Sequence, residues 1–248
     1  FDTYSASAGA AAALTKAGGK SWYFLTVDYA FGHSLEKDAT EMVKANGGNV
    51  VGSVRHPLNA SDFSSFIMQA QANATQDAVN TIKASREFGI VDKGQKLAAL
   101  MLQVTDVHAM GLQVAQGLVS SEGFYWDLDD QTRAFSARFE KVHKVKPNQV
   151  HAGVYSSVLH YLKSVAAAKS DAAPAVAAKM RELPIKDDVM RNASIRPDGR
   201  VVHDMLLVEV KKPAQSKAAW DYYNILGTIP ANTAFMPLAQ SQCSLVKK

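Results

Sequence analysis

Cysteine is almost missing from this 248-residue sequence: Cys243, near the C-terminus, is the only one. A single cysteine excludes a disulfide framework and a cysteine-based zinc site within the chain. No apolar run approaches the roughly 20 residues that a membrane-spanning helix requires. No signal peptide is legible either. The chain opens at Phe1 rather than Met, so a leader is expected to have been removed, or the numbering to begin inside a longer protein. A basic stripe with interleaved aromatics is also lacking. The 27 Lys and Arg stand against 23 Asp and Glu, and the resulting +4 is scattered, with Lys211-Lys212 and Lys247-Lys248 the densest pairs. That pattern argues against nucleic acid as a partner. What remains, 47% hydrophobic and 20% charged residues, is an ordinary globular chain. It is long enough to bury a core as one large domain or two small ones.

The signatures of catalysis are missing too. Gly18-Gly19-Lys20-Ser21 suggests a phosphate loop, but Leu14 stands where that motif needs its first glycine. A strand, not a helix, is expected after the lysine, so the pair of glycines reads as a helix cap. There is no G-x-S-x-G elbow and no H-E-x-x-H. Histidines 33, 56, 108, 143, 151, 160 and 203 are dispersed, and none pairs with a carboxylate at metal-ligand spacing. Asp127, Asp129 and Asp130 precede a helix, where acids favour the positive N-terminus; the other ligands of a calcium loop are absent. No cofactor and no metal are expected.

The order of elements is more informative. An Ala-rich helix is expected over 6–16, a buried strand over 21–27 (SWYFLTV), a loop over 28–32, a helix over 34–46 and a strand over 49–55. A long helix follows over 62–88, with Ser61 as N-cap, then a strand over 96–103, a helix over 107–115, and strand and loop over 117–125. This alternation predicts an α/β fold with a parallel sheet flanked by helices. From Asp129 the texture changes to helices at 131–144, 148–168 and 172–182, broken at Pro184. One strand, 201–210, follows an Arg196-Pro197-Asp198-Gly199 turn, and the stretch from Pro213 reads as a wrapping tail. Two features are odd. The 62–88 helix is longer than most, and the helices after Asp129 have no sheet of their own to cover. Two aromatic groups stand at strand ends: Tyr29 and Phe31 after the first strand, and Phe124-Tyr125-Trp126 after a later one. Open α/β sheets bind ligands at strand carboxyl ends. The residues alone leave a ligand pocket and an interdomain core both open.

The strings GGKSWYFLTVDYAFGHSLEKD, GGNVVGSVRHPLNASDFSSFIMQAQ, FGIVDKGQKLAAL, GFYWDLDDQTRAFSARF, IRPDGRVVHDMLL and WDYY occur in this order along nearly the whole chain. They resemble the type I periplasmic solute-binding proteins of ABC importers, of the branched-chain amino acid type, and within it the branch linked to aromatic acids. The resemblance implies two α/β lobes joined by a three-stranded hinge and closing over a ligand. It implies a periplasmic location, a membrane permease as partner, a monomeric state and no bond chemistry. Residues 1–122 would form the main part of the second lobe, 123–186 the returning helices of the first, and 187–248 second-lobe strands and the tail. The first lobe would be incomplete here, and a strand and loop of the family would be missing between Gln71 and Asp77, leaving sheet edges unpaired.

The resemblance assigns Tyr29 to the ligand site as a ring wall and hydroxyl donor, with Phe31 beside it. Where amino-acid binders carry an acid for the ammonium, this chain has Leu100-Met101-Leu102-Gln103. Leu102 and Gln103 therefore join the site, and the ligand is expected to lack an α-amino group, because a buried ammonium without a countercharge is costly. Asp106 is the residue that would reverse this. Tyr125 and Trp126 would supply a flat wall for an aromatic ring. Cys243 would pair with a family cysteine located before Phe1, or remain a free thiol. Aromatic or 2-oxo acids are the expected ligands. A branched-chain amino acid receptor, an enzyme on a similar scaffold and a sensory module stay open as alternatives.

Overall fold

The computed structural model describes residues 2–60, 62–63, 65–66, 96–244 and 246. The chain divides into two compact units: 1–122 with 207–227, and 123–206 with 228–248. The chain passes from one to the other at 122/123, 206/207 and 227/228. The sequence reading assigned 187–248 as a whole to the unit of residues 1–122; the structure divides that stretch, because two of the crossings fall inside strands within it.

The first unit opens with α1 (Thr3–Lys16), whose Asp2 and Ser5 cap each other, Ser5 N–H donating to Asp2 Oδ1 at 2.8 Å. Its alanines let neighbours approach closely: Ala10 and Ala11 are fully buried, and the Ala10 amide donates to Ser121 Oγ at 3.0 Å. β1 (Ser21–Val27) follows, then α2 (Ala30–Ala45) and β2 (Asn49–His56), which pairs in parallel with β1 from Ser21↔Asn49 to Val27↔His56. Ala11, Phe24, Ala39 and Val43 form the core joining α1, β1 and α2. The helix begins at Ala30, inside the stretch read as a loop, and the Tyr29 carbonyl accepts from the His33 amide at 3.0 Å.

The expected strand at 96–103 reduces to one parallel bridge, Ala98↔Val119, flanked by Ala99 N–H to Val119 O at 3.0 Å. An extended segment becomes a strand only where a neighbour runs along it, and among the described residues only Val119 pairs with this one. The expected helix at 107–115 starts earlier, as α3 (Val104–Met110), and breaks at Gly111 (φ 79°) before the short α4 (Leu112–Ala115). β3 (Val119–Glu122) then heads a sheet of order β3–β6–β7, where β6 is Met205–Val210 and β7 is Tyr223–Ile229. β7 lies in the stretch read as tail. Its mixture of exposed and half-buried residues gives no period to read. Nearly all of the expected 62–88 helix, including its cap Ser61, lies outside the described residues.

The second unit is built on α5 (Asp130–His143), α6 (Gln149–Ala168) and α7 (Ala173–Glu182), close to their expected bounds. Phe124, Phe135, Ala152 and Val189 form its core, with Phe124 edge-on to Phe135 at 5.8 Å. A short antiparallel pair, β4 (Ser194–Ile195) with β5 (Val201–Val202), flanks the Arg196–Gly199 turn. β5 and β6 were expected as one strand. They are separated at His203, whose Nδ1 is 2.8 Å from the Asp204 carbonyl.

Asp129 is a cap rather than a ligand. Its Oδ1 accepts from Thr132 N–H at 2.9 Å, and Oδ2 from Arg191 at 2.6 Å. Burial works against its charged form, but the Arg191 and Thr132 bonds prevail and hold its pKa below the usual carboxylate value. Replacing Asp129 by Ala should destabilise the protein by about 1 kcal/mol. A urea midpoint unchanged in the variant would show that the cap contributes nothing.

Candidate functional site

A cavity of about 270 Å³ opens in the first unit. Its walls are Trp22–Val27 of β1, the turn and first helical turns at Tyr29, Phe31, Gly32, Leu35 and Glu36, and the segment Ala98–Met101. Successive strand residues point to opposite faces. Six consecutive β1 residues can line one cavity only if it faces the edge of the strand, where main-chain N–H and C=O groups lie. The pairing agrees: β1 hydrogen-bonds to β2 alone among the described strands. The site is therefore an edge-on slot between β1 and the 98–101 segment, with the start of α2 at its carboxyl end.

Helix geometry sets what α2 contributes. Gly32, Leu35 and Glu36 stand at i, i+3 and i+4 and share one face. Gly32 is required there: a Cβ at this position would lie 2.2 Å from the Val27 carbonyl oxygen. The close approach brings Tyr29 and Phe31 to the mouth, with ring centroids 6.0 Å apart and planes tilted by 37°. Asp28 steadies the turn. Its amide donates to the His56 carbonyl at 2.8 Å, and its carboxylate lies 2.8 Å from His33 Nε2.

Of the six residues expected at a ligand site, the structure brings Tyr29 and Phe31 together on this cavity. Leu102 is fully buried, and Gln103 is 8% exposed; neither is among the lining residues, which end at Met101. Neither side-chain amide atom of Gln103 has a hydrogen-bond partner among the described residues. Asp106 is committed elsewhere: its Oδ2 accepts from the Gln103 amide at 2.8 Å. Burial raises its pKa, with that bond acting in opposition. Tyr125 and Trp126 meet edge-on at 6.1 Å within the second unit. There Tyr125 is buried, while Trp126 packs on the Phe124–Phe135 core with the Lys146 ammonium 4.4 Å above its ring.

The residue that sequence reasoning missed is Glu36. Its Oε2 is buried and has no hydrogen-bond partner among the described residues, although it lines the slot. In sequence it resembles a solvent-facing acid beside Lys37, Asp38 and Glu41. Its spacing from Gly32 was the one available signal. Among the described residues, no Lys, Arg or His lines the cavity and no cluster of metal-binding side chains occurs. No described helix is long and apolar enough to cross a membrane.

Residues 1–217 match the family described as periplasmic binding protein. The chain belongs to that family. A crystal structure of a periplasmic binding protein from Burkholderia mallei is 47% identical over 99% of this chain and 68% of that one, with a TM-score of 0.92. A branched-chain amino acid ABC transporter periplasmic ligand-binding protein from Burkholderia xenovorans LB400 is 38% identical over 98% and 67%, at 0.88. A solute-binding protein of an ABC transporter from Rhodopseudomonas palustris BisB5, in complex with 3,4-dihydroxy benzoic acid, shares the fold at a TM-score of 0.76, with 21% identity over 92% and 65%. No curated protein matches. The fold of this periplasmic binding protein is accordingly type I: an α/β chain of parallel strands flanked by helices.

Proposed function

We propose that this periplasmic binding protein is the substrate-binding subunit of an ABC importer and holds a small carboxylate, an aromatic acid or a 2-oxo acid, which it delivers unchanged to a membrane permease. It would work in the periplasm as a monomer, with residues 1–122 as most of one lobe, 123–186 as helices of the other, and 187–248 as further strands and tail. The observation that carries the reading is the slot with the Tyr29–Phe31 ring pair at the carboxyl end of β1. Rings there suit a flat ligand, and the edge of β1 left unpaired among the described strands offers main-chain donors to a carboxylate. Leu102, Gln103, Tyr125 and Trp126 complete the proposed ligand-binding set. The Gln103 side-chain amide, buried and without a hydrogen-bond partner among the described residues, offers a donor and an acceptor. Asp106 is occupied by the Gln103 amide and offers no free countercharge to an ammonium.

A second reading, a branched-chain amino acid receptor, has Glu36 and the Burkholderia xenovorans relative in its favour. A thermal-shift panel separates the two. Benzoate- and cinnamate-type acids and aryl and branched 2-oxo acids would be compared with leucine, isoleucine and valine. A ligand that binds only the folded state raises stability as its concentration exceeds Kd. Upward shifts with the acids and none with the amino acids are expected. Shifts confined to the amino acids would establish the second reading instead.

A further inference from the structure

The corner between α5 and α6 sets two imidazoles against one ring. His143, in the last turn of α5, stacks on Phe139 with centroids 4.5 Å apart, and His151, in the first turn of α6, lies 4.9 Å from the same ring. His151 is also half of a reciprocal cap. Asn148 Oδ1 accepts from the Val150 and His151 amides at 3.0 and 3.1 Å, and His151 Nδ1 accepts from the Asn148 amide at 3.2 Å. A ring nitrogen that accepts carries no proton, so this bond needs the neutral imidazole with its proton on Nε2. Protonation would set a second N–H against that of Asn148, and a positive charge at the positive end of α6. The usual residue at this place in a capping box is Glu or Gln, and neither loses its acceptor near neutral pH.

The surroundings act in the same direction. Burial first, and then the charge of His143, lower the pKa of His151 from the usual 6.5. The carboxylate of Glu140, on α5, is taken by Lys146 at 2.6 Å, and the Lys144 ammonium donates to the Lys141 carbonyl at 2.7 Å. Lys146 also stands 4.4 Å over the Trp126 ring, two residues before Asn148, so a movement of the cap is passed to it. An open corner takes up its proton more readily than a closed one, and opening is therefore favoured as pH falls below about 6.5.

We propose that the α5–α6 corner is an acid-sensitive clasp: when His151 takes a proton, the cap on α6 opens and Lys146 is drawn off Trp126. Trp126 belongs to the ligand-binding set proposed above, and its response to acid would extend to that set; the clasp itself does not depend on that reading.

The test is nuclear magnetic resonance of the whole chain between pH 7.5 and 5, following the His151 ring, the Asn148 amide and the Trp126 indole N–H, repeated on His151→Gln and His143→Gln. The His151 ring should titrate below 6.5, and the other two signals should move with the same midpoint. Exchange of the Ala152 amide, which donates to the Asn148 carbonyl at 3.1 Å, should quicken relative to its intrinsic rate. The expected gain is up to about tenfold per pH unit below 6.5. His151→Gln keeps an acceptor for the Asn148 amide without the titration and should abolish these changes. His143→Gln leaves the cap in place and should move the His151 midpoint upwards. If the first variant disturbs folding, seen as a lower melting temperature at pH 7.5, the second carries the comparison. A His151 midpoint at or above 6.5 overturns the proposal, as does an Asn148 amide or a Trp126 indole that stays still while His151 titrates. The same acid response in a folded His151→Gln protein overturns it too. None of these signals involves a ligand, so the receptor reading is unaffected by the result.

Discussion

Replacing Glu122 by Gln should leave stability nearly unchanged at pH 5 and raise it progressively towards pH 8. Glu122 ends β3 and is 1% exposed. Burial drives its pKa well above the ordinary 4.5; the Tyr223 hydroxyl, donating to Oε1 at 3.0 Å, opposes that rise, and the negative charge of Asp106 adds to it. The folded state thus holds a proton that the unfolded state releases near pH 4.5. The stability linked to Glu122 is fully present below that pH and is lost as pH climbs towards the folded-state value. Each unit of difference between the two states is worth about 1.4 kcal/mol. Asp38 and Asp106, also raised mainly by burial, act with the same sign in the same unit. Asp129 and Asp198, held low through Arg191 and Arg196, act with the opposite sign and weaken the protein in acid. Glutamine keeps an acceptor for Tyr223 and removes the titration. Urea unfolding of both proteins at pH 5, 6, 7 and 8 measures the effect, and a gap that does not widen with pH would sink the idea.

Gly32→Ala should be the most damaging small substitution at the site. The added methyl would lie 2.2 Å from the Val27 carbonyl oxygen and 2.9 Å from Val27 Cγ1, and backbone cannot rotate away as a side chain can. The start of α2 must lift from β1, at a cost of about 1–3 kcal/mol or more. For a chain of this size that lowers the melting temperature by roughly 2–4 °C per kcal/mol. Tyr29 and Phe31 would move with it, so ligand affinity should fall in parallel. Gly153→Ala is the control. It lies inside α6 with nothing within 4 Å of the added atom, and the better helix propensity of alanine should stabilise by about 1 kcal/mol. Equal effects at the two glycines would show that the contact with Val27 is relieved without cost.

How much of this was legible depends on how locally each feature is encoded. α5, α6 and α7 were readable because Asp129, Asn148 and Pro184 mark their ends, and caps act within a turn. β1 was readable because a strand buried on both faces is a continuous apolar run. The 98–101 segment has strand composition, but among the described residues it pairs only at the Ala98↔Val119 bridge, and pairing is not a local property. β7 failed for the converse reason: its partner β6 makes it a strand, while its own residues alternate too weakly. At the site, Tyr29 and Phe31 followed from the rule that ligands gather at strand ends. Glu36 did not, because an acid in a charged helix reads as solvated until the helix is docked and one face proves to look inward.

The three crossings between the units also govern the order in which the molecule can be made. Neither unit is one continuous stretch of polypeptide. Residues 1–122 leave the ribosome before residues 207–227, and must wait for them before their sheet acquires the first-unit part of β6, most of β7 and the Tyr223 hydroxyl that Glu122 accepts from. The other unit is complete only when residues 228–248 have followed. A gene fragment ending at residue 122 would therefore lack both the strand that pairs with β3 and the Tyr223 hydroxyl that Glu122 accepts from. Completion of both units is deferred until residues 207–248 have been made, and chaperone engagement of the nascent chain should persist until then.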